Sequence, residues 1–496
     1  MSHDATQHPI PDVTTNPFDD DKLREECAVF GIFGTEDAAA HTALGLHALQ
    51  HRGQEASGIV TYDGEEFRAH RALGQVGEVF GRQQVMERLK GSAAIGHNRY
   101  STTGDPMVRN TQPLFADFEF GGLAVSHNGN LTNAVHLRRE LVHGGAIFQS
   151  TTDTEVIIHL LAQAKGGVTD RLTEALRRVE GAYSLVCLTR KKLIGVRDPL
   201  GVRPLVLGKL GGAYMLASET CAFDIIGAEK VRDVEAGEMI VIDDEGVHST
   251  FPFPRLKTRF CIFEYVYFSR PDSVVEDKSV YEARTAIGRE LAREKPIEAD
   301  VIVPIPDSGV PSAIGYAEQS GVPFQYGIIR NHYVGRTFIE PTDEIRNLGV
   351  KLKHNANRQV VEGKRIVLVD DSIVRGTTSR KIVEMMRHAG ATEVHMCIAS
   401  PPTTYSCFYG VDTPERDKLL AAKYSLEEMR TLIGCDSLTF ISMDGLYRAV
   451  GLAGRDAARP QYCDACFSGE YPIPLTDQER QPGKSAQLSL LREQAR

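Results

Sequence analysis

The sequence predicts an α+β domain followed by an α/β domain built on a parallel sheet. Three observations carry this. Residues 27 to about 250 form a succession of short β-like runs separated by Asp-Gly, Gly-Gly and Asn-Gly turn signals, with few helical stretches between them. The composition then shifts at "STFPFPRLKTRF" (249–260), whose two prolines mark a linker. Beyond it, strands and helices alternate and the apolar runs become continuous, as in a sheet covered on both faces.

In the first region the expected strands are "CAVFGIFG", "ASGIVTYDG", "AAIGHNRYST", "GLAVSHNGN", "AYSLVCLT", "KLIGVRD" and "EMIVIDD". Helical spacing interrupts them at "AAAHTALGLHALQHRG" and "TDTEVIIHLLAQAKGG", so sheets covered by helices are expected. After the linker, "ADVIVPIPDSG" is a strand and loop, and "VPSAIGYAEQSG" a helix. "KRIVLVDDSIVRGTTSRKIVEMMRHAG" gives strand, loop and amphipathic helix stopped by Gly390, and "EVHMCIASPP" another strand. No internal repeat is visible, and the last twenty or so residues are polar and expected to be loose. The expected division is a leader over 1–26, domains over 27–255 and 256–475, and a tail over 476–496.

Of the 496 residues, 42% are apolar and 25% charged, values of an ordinary globular protein. No run approaches a membrane span, and the acidic, proline-bearing leader lacks the apolar core of a secretory signal. A net charge of −10 argues against a general nucleic-acid binder. Nine cysteines, an odd number, speak for a reducing, cytoplasmic setting in which thiols are reactive or metal-bound.

Residues 366–379, "IVLVDDSIVRGTTS", run from a strand through two carboxylates and a glycine into a helix. Free N–H groups, a permissive glycine and two hydroxyls make an anion cradle. Asp370 and Asp371 suit ribose hydroxyls or a Mg²⁺ that offsets phosphate charge; an isolated Asp-Asp pair would equally suit a solvated turn.

This segment resembles the phosphoribosylpyrophosphate (PRPP) signature of type I phosphoribosyltransferases, with Arg375 where a threonine or serine commonly precedes the glycine. Its form "DDSIVRGTTS" is similar to the glutamine PRPP amidotransferase family in particular. The resemblance implies that Asp370 and Asp371 serve the ribose and Mg²⁺, beside Ser372, and that Val374, Arg375, Gly376, Thr377 and Thr378 hold the 5-phosphate. "PIPDSG" would be the pyrophosphate loop, with Asp307 and Ser308, the latter near the metal. "RNHYVGRTFIEP" (330–341) resembles the loop that closes over PRPP, and Lys353 falls where a lysine reaches the pyrophosphate.

Cys27 opens the first buried strand behind a leader with no core of its own. A thiol needs a base, and an internal cysteine has only an amide nitrogen. Cleavage between Glu26 and Cys27 would free an α-amine of pKa about 8, suited to general-base work. A buried structural thiol behind a loose tail is the plain alternative. "CAVFGIFG", "LQHRGQEASGI", "GHNRYSTTG", "SHNGNLTN" and "TTDTE" together resemble the class II, N-terminal-nucleophile glutaminases, whose fold is an αββα sandwich. The resemblance implies Cys27 as nucleophile, Asn128 and Gly129 as oxyanion hole, Arg99 on the glutamine carboxylate, Asp153 on its ammonium, and Arg52 and Tyr100 in the pocket and its closing loop.

Cys463 and Cys466 form "YCDAC", a spacing that one turn can aim at a common metal, zinc or iron–sulfur alike. Cys261 and Cys407 are the best further candidates. One branch of the resembled family has cysteines at these motifs and holds a [4Fe–4S] cluster, which implies a structural cluster here. Cys187, Cys221, Cys397 and Cys435 are expected in the core.

The implied reaction is glutamine, PRPP and water giving 5-phosphoribosylamine, glutamate and pyrophosphate, the committed step of purine synthesis. The family's other properties follow as expectations: feedback by purine nucleotides at sites that these residues do not place, a homotetramer, and ammonia passed between sites out of contact with water. An amidotransferase making glucosamine 6-phosphate would need sugar-isomerase domains instead of the PRPP loop. A non-catalytic PRPP-sensing regulator would have no use for the glutaminase residues.

Overall fold

The computed structural model describes residues 24–25, 27–100, 107–331 and 354–480. Most of the leader, residues 332–353 and the end of the tail therefore lie outside the described residues, and with them Lys353 and most of the closing-loop motif. The chain divides into two compact units. One comprises residues 24–283, Tyr405–Pro414 and 455–480; the other comprises Arg284–Thr404 and Glu415–Gly454. Compactness thus groups 256–283 and the segments that carry Cys407, Cys463 and Cys466 with the first unit, where the linear division had put them in the second.

The first unit is a four-layer αββα sandwich. One antiparallel sheet has seven strands in the order Glu229–Asp233, Val206–Leu210, Ala213–Ala217, Cys27–Phe33, Ala93–Arg99, Ala56–Tyr62 and Phe67–Leu73. The other has six, in the order Gly246–Thr250, Met239–Asp243, Leu193–Arg197, Gly181–Thr189, Gly121–Leu131 and Leu114–Phe118. Alternation along each strand sends its side chains to two different cores. Ala28, Phe30 and Ile32 face a helical layer containing Ala38–Ala48. Val29, Val60 and Ile95 face Ala124, Val186 and Ile240 of the other sheet. Leu123 and Val125 face the second helical layer, formed with Ala134–His143 and Thr154–Gln163.

Two short segments add to this unit at its margins. Arg24 and Glu25, at the end of the leader, pair antiparallel with Asp412 and Val411. The first residues of the expected tail are docked: the Asp477 carboxylate accepts from the Val135 and His136 N–H groups at 2.8 and 3.0 Å. These are first-turn donors of the helix Ala134–His143, which have no partner within the helix. A polar segment reads as loose because such a long-range cap leaves no local signature.

The second unit contains a four-stranded parallel sheet in the order Val301–Pro304, Arg365–Asp370, Glu393–Ile398 and Ser437–Phe440. Val303, Leu368 and Met396 pack with Ile382, Val383 and Met386 of the helix Thr377–His388. The alternate residue Cys397 faces the other way, toward Tyr316 of the helix Val310–Ser320. Helices on both faces explain why these strands read as unbroken apolar runs.

Asp477→Ala should lower stability by about 1 kcal/mol, the usual loss for an N-terminal cap. Denaturant titration checks this, with Asp477→Asn expected to recover part of the loss.

Candidate functional site

Each unit gathers a set of the residues singled out in the sequence. In the first, register and alternation do the gathering. Cys27 begins its strand with Arg99 as its direct cross-strand partner. Counting in twos from Val29 and Ile95 puts Cys27 and Arg99 on the face turned toward the second sheet. Counting from Ala124 puts Asn128 on the facing side of that second sheet. Across the gap, His97 Nε2–H donates to the His127 carbonyl at 3.0 Å, pinning the two sheets together one residue before Asn128. All these side chains are buried.

The Asn128 side-chain oxygen and nitrogen are both buried and, among the described residues, without a hydrogen-bond partner. Buried amides are rarely left so, and those that are call for a functional reason. Gly129 follows with φ +143°, and a Cβ there would collide with the Ala182 carbonyl. Glycine is therefore required at the residue whose N–H would complete an oxyanion hole.

Asp153 caps the helix Thr154–Gln163, one carboxylate oxygen accepting from Thr154 N–H at 2.8 Å and the other from Leu131 N–H at 3.0 Å. It lines a cavity of about 130 Å³ that Thr132, Arg138, Leu475 and Asp477 help to enclose. Tyr100 continues directly from Arg99, and the motif's last residues, 101–104, lie outside the described residues.

Arg52 stands in a different setting from a substrate ligand. It is fully buried, and its guanidinium donates to Glu219 and to Glu264, the latter at 2.7 Å, and to Ser269 at 3.2 Å. Arg203 pairs with the same Glu264 at 3.1 Å. Burial alone would raise the Glu219 carboxyl, but the charges of Arg52 and His51 outweigh it and hold Glu219 well below the usual carboxylate range. Sequence reading missed this network. Its one local trace is a glutamate inside the apolar run "CIFEYVYF".

Four of the nine cysteines are brought together in the first unit. Cys261 and Cys463 are direct partners in a short parallel pair. Cys466 accepts at its carbonyl from Tyr405 N–H at 3.1 Å, and Tyr409 N–H donates to Cys407 Sγ at 3.4 Å. Burial pushes the Cys261 thiol up to about 12 and those of Cys463 and Cys466 well above the ordinary thiol value, the neighbouring sulfurs adding to the effect. Four neighbouring thiols are of the donor type that a thiolate-held cluster takes. Among the described residues, no three His, Cys, Asp or Glu side chains stand at metal-holding spacing. Cys187, Cys221, Cys397 and Cys435 are buried, as expected of core residues.

In the second unit the strand Arg365–Asp370 delivers Asp370 and Asp371 to its carboxyl end. Both are buried. Asp371 accepts from Ser308 Oγ at 2.7 Å and from Ser372 Oγ at 2.8 Å, so the "PIPDSG" loop and the Asp-Asp pair form one cluster. Asp307, mostly exposed, is paired with Arg330. Val374 and Arg375 lead to Gly376, at φ +78°, which turns the chain into the helix beginning at Thr377 and Thr378. The cluster and the helix start thus lie beyond the carboxyl ends of parallel strands, where ligands of open α/β sheets sit.

Comparison with known proteins covers both sites. Residues 97–224 match the family model described as a glutamine amidotransferase domain, and residues 274–402 match that of a phosphoribosyl transferase domain. An amidophosphoribosyltransferase of Rhizobium etli is 57% identical over 477 residues, covering 95% of this chain and 96% of the relative. One from Bacillus subtilis is 49% identical over 456 residues, covering 91% and 95% respectively. A solved structure, glutamine PRPP amidotransferase from B. subtilis complexed with ADP and GMP, aligns with a TM-score of 0.86 at 48% identity, covering 90% of this chain and 98% of that one.

Removing Arg52 while leaving its carboxylates buried should be severe: Arg52→Met is expected to lose roughly 3–5 kcal/mol of stability in denaturant titration. His97 yields a pH dependence. Burial lowers its pKa from 6.5 to about 3. Between those values the unfolded chain binds a proton that the folded chain does not, so this contribution to stability falls as the medium is acidified from 6.5 toward 3. His97→Gln, which keeps a donor for the His127 carbonyl, should flatten the slope of unfolding free energy against pH in that window.

Proposed function

Because the chain belongs to the amidophosphoribosyltransferase family, whose members make 5-phosphoribosylamine from glutamine, PRPP and water at the entry to purine synthesis, we propose that the two clusters are its two active centres and that Cys27 is the glutaminase nucleophile. The observation that carries this is the interlayer face shared by Cys27, Arg99 and Asn128, with a buried Asn128 amide that has no partner among the described residues.

Cleavage at Glu26–Cys27 removes the leader as a propeptide and supplies the α-amine that takes the thiol proton. The sulfur attacks the glutamine amide carbon. The resulting oxyanion takes hydrogen bonds from the Asn128 amide and Gly129 N–H, and ammonia departs as the thioester forms. Arg99 holds the substrate carboxylate through a bidentate contact and Asp153 its ammonium group. Arg52, spent on Glu219 and Glu264, keeps the pocket wall in place rather than touching substrate.

In the second unit, Asp370 and Asp371 grip the ribose hydroxyls of PRPP, with Ser372 beside them. The chain from Val374 through Arg375, Gly376 and Thr377 to Thr378 offers N–H and hydroxyl donors to the 5-phosphate. Asp307 and Ser308 face the pyrophosphate, with Lys353 as a further donor. Mg²⁺, which Ser308, Asp370 and Asp371 would hold, offsets pyrophosphate charge when bound. Ammonia from the first centre displaces that pyrophosphate at the ribose C1.

Cys261, Cys407, Cys463 and Cys466 would hold a [4Fe–4S] cluster that ties separate segments of the first unit together. By similarity to the relative complexed with ADP and GMP, purine nucleotides are the expected inhibitors, and the family resemblance of the sequence implies a cytoplasmic homotetramer. Among the described residues no helix is long and apolar enough to cross a membrane.

Cys27→Ala should lower glutamine-dependent phosphoribosylamine formation by ~10³-fold or more while sparing the ammonia-dependent reaction. Asp371→Asn should depress both. Loss of the two activities together in Cys27→Ala would refute the assignment, as would a fully active enzyme whose intact mass still includes the leader.

A further inference from the structure

Tyr405–Pro414 is flanked in sequence on its N-terminal side by the second unit and returns to that unit at Glu415, yet it packs in the first. Its middle lies against the residue after Asn128. A Cβ built on Gly410, which sits at φ +103°, would stand 3.0 Å from Gly129 Cα and 3.1 Å from the Gly129 carbonyl carbon, so that one backbone would have to give by a few tenths of an ångström. Arg203 Nε donates to the Tyr409 carbonyl at 2.9 Å. Asn130 Nδ2 donates to the Phe408 carbonyl at 3.0 Å, so the residues on either side of the contact are fastened as well. On its other side Gly129 is closed in by the Ala182 carbonyl.

The segment is itself anchored. Ser406 Oγ donates to the Pro414 carbonyl at 2.7 Å, Cys407 N–H to Thr413 Oγ1 at 2.7 Å, and the Tyr409 hydroxyl to the Ile473 carbonyl at 2.6 Å. A firm support has a direct use here, since an oxyanion donor acts only when it is fixed where the charge develops.

Resting on the glutaminase reading above, we propose that Phe408–Gly410 is a positioning element of that reaction, a backbone backstop that fixes the direction of the Gly129 N–H. It acts through the Gly129 backbone that it lies against. Removing the fit should therefore disturb the transition state and leave ground-state binding of glutamine nearly intact.

The test uses the full-length enzyme with Gly410→Ala, which forces the two backbones apart, and Asn130→Ala, which frees the Phe408 carbonyl without adding bulk. Gly410→Ala should reduce kcat for glutamine hydrolysis by about 10–100-fold, toward the loss of one oxyanion donor, with KM for glutamine changed less than about threefold. Asn130→Ala should show a smaller loss with the same split. Iodoacetamide should alkylate Cys27 at the wild-type rate in both, and ammonia-dependent synthesis should hold. A wild-type kcat in both variants overturns the proposal. So does a parallel loss of glutamine- and ammonia-dependent activity with a lower Tm, which marks general damage. If Gly410→Ala does not fold, Asn130→Ala decides alone by the same readings. Cys27→Ala is assayed alongside: continued glutamine hydrolysis there refutes the glutaminase reading itself, an outcome separate from a fully active Gly410→Ala beside an inactive Cys27→Ala.

Discussion

Gly31 packs so tightly on the second sheet of the first unit that a Cβ would stand 2.6 Å from Val186 and 2.8 Å from Leu193. That close approach sets what the rest of the unit can do. With the sheets this near, alternation leaves only two addresses for each side chain, the interlayer or a helical face. Cys27, Arg99 and Asn128 are brought to one compartment by counting in twos, without any need for a loop to carry them there. The His97–His127 bridge crosses the same gap, so the layer that contains the chemistry also has polar fastening. Leaving His97 neutral when buried suits that role, because an imidazolium between the sheets would have no counter-charge on the strand it bonds to.

The second unit relies on a different device. Its strands point the same way, so Pro304 and Asp370 end at one edge and their following loops meet. Asp371 then collects hydroxyls from both, one from the loop after the first strand and one from its own neighbour. The carboxylates are buried by the sheet and helices around them. A single strand end thus carries both the acidic pair and, six residues later, the glycine that starts the helix.

Much of this was legible in order of residues because it is local. The run "IVLVDDSIVRGTTS" contains strand, carboxylates, turn glycine and helix start in fourteen consecutive residues, and the strand "CAVFGIFG" shows its cysteine at the leading edge. What escaped is what depends on distant partners. The ion-pair network of Arg52 is hidden because "LQHRGQEASGI" says nothing of Glu219 and Glu264, which lie 167 and 212 residues away. Asp477 looked like tail because its cap receptor is 342 residues back. The four cysteines could be paired with a motif but not with a unit, since compactness, not order along the chain, decides where Tyr405–Pro414 packs.

That last segment also limits how the protein can be taken apart. A fragment stopping near residue 283 would look like a complete glutaminase on paper and would lack the strip of backbone that lies behind Gly129. The complementary piece would carry that strip with nothing to lean on. Gene fusions or splits that treat the halves as interchangeable modules would therefore part Gly129 from the backbone it rests on, and only reassembly of both pieces would restore that fit.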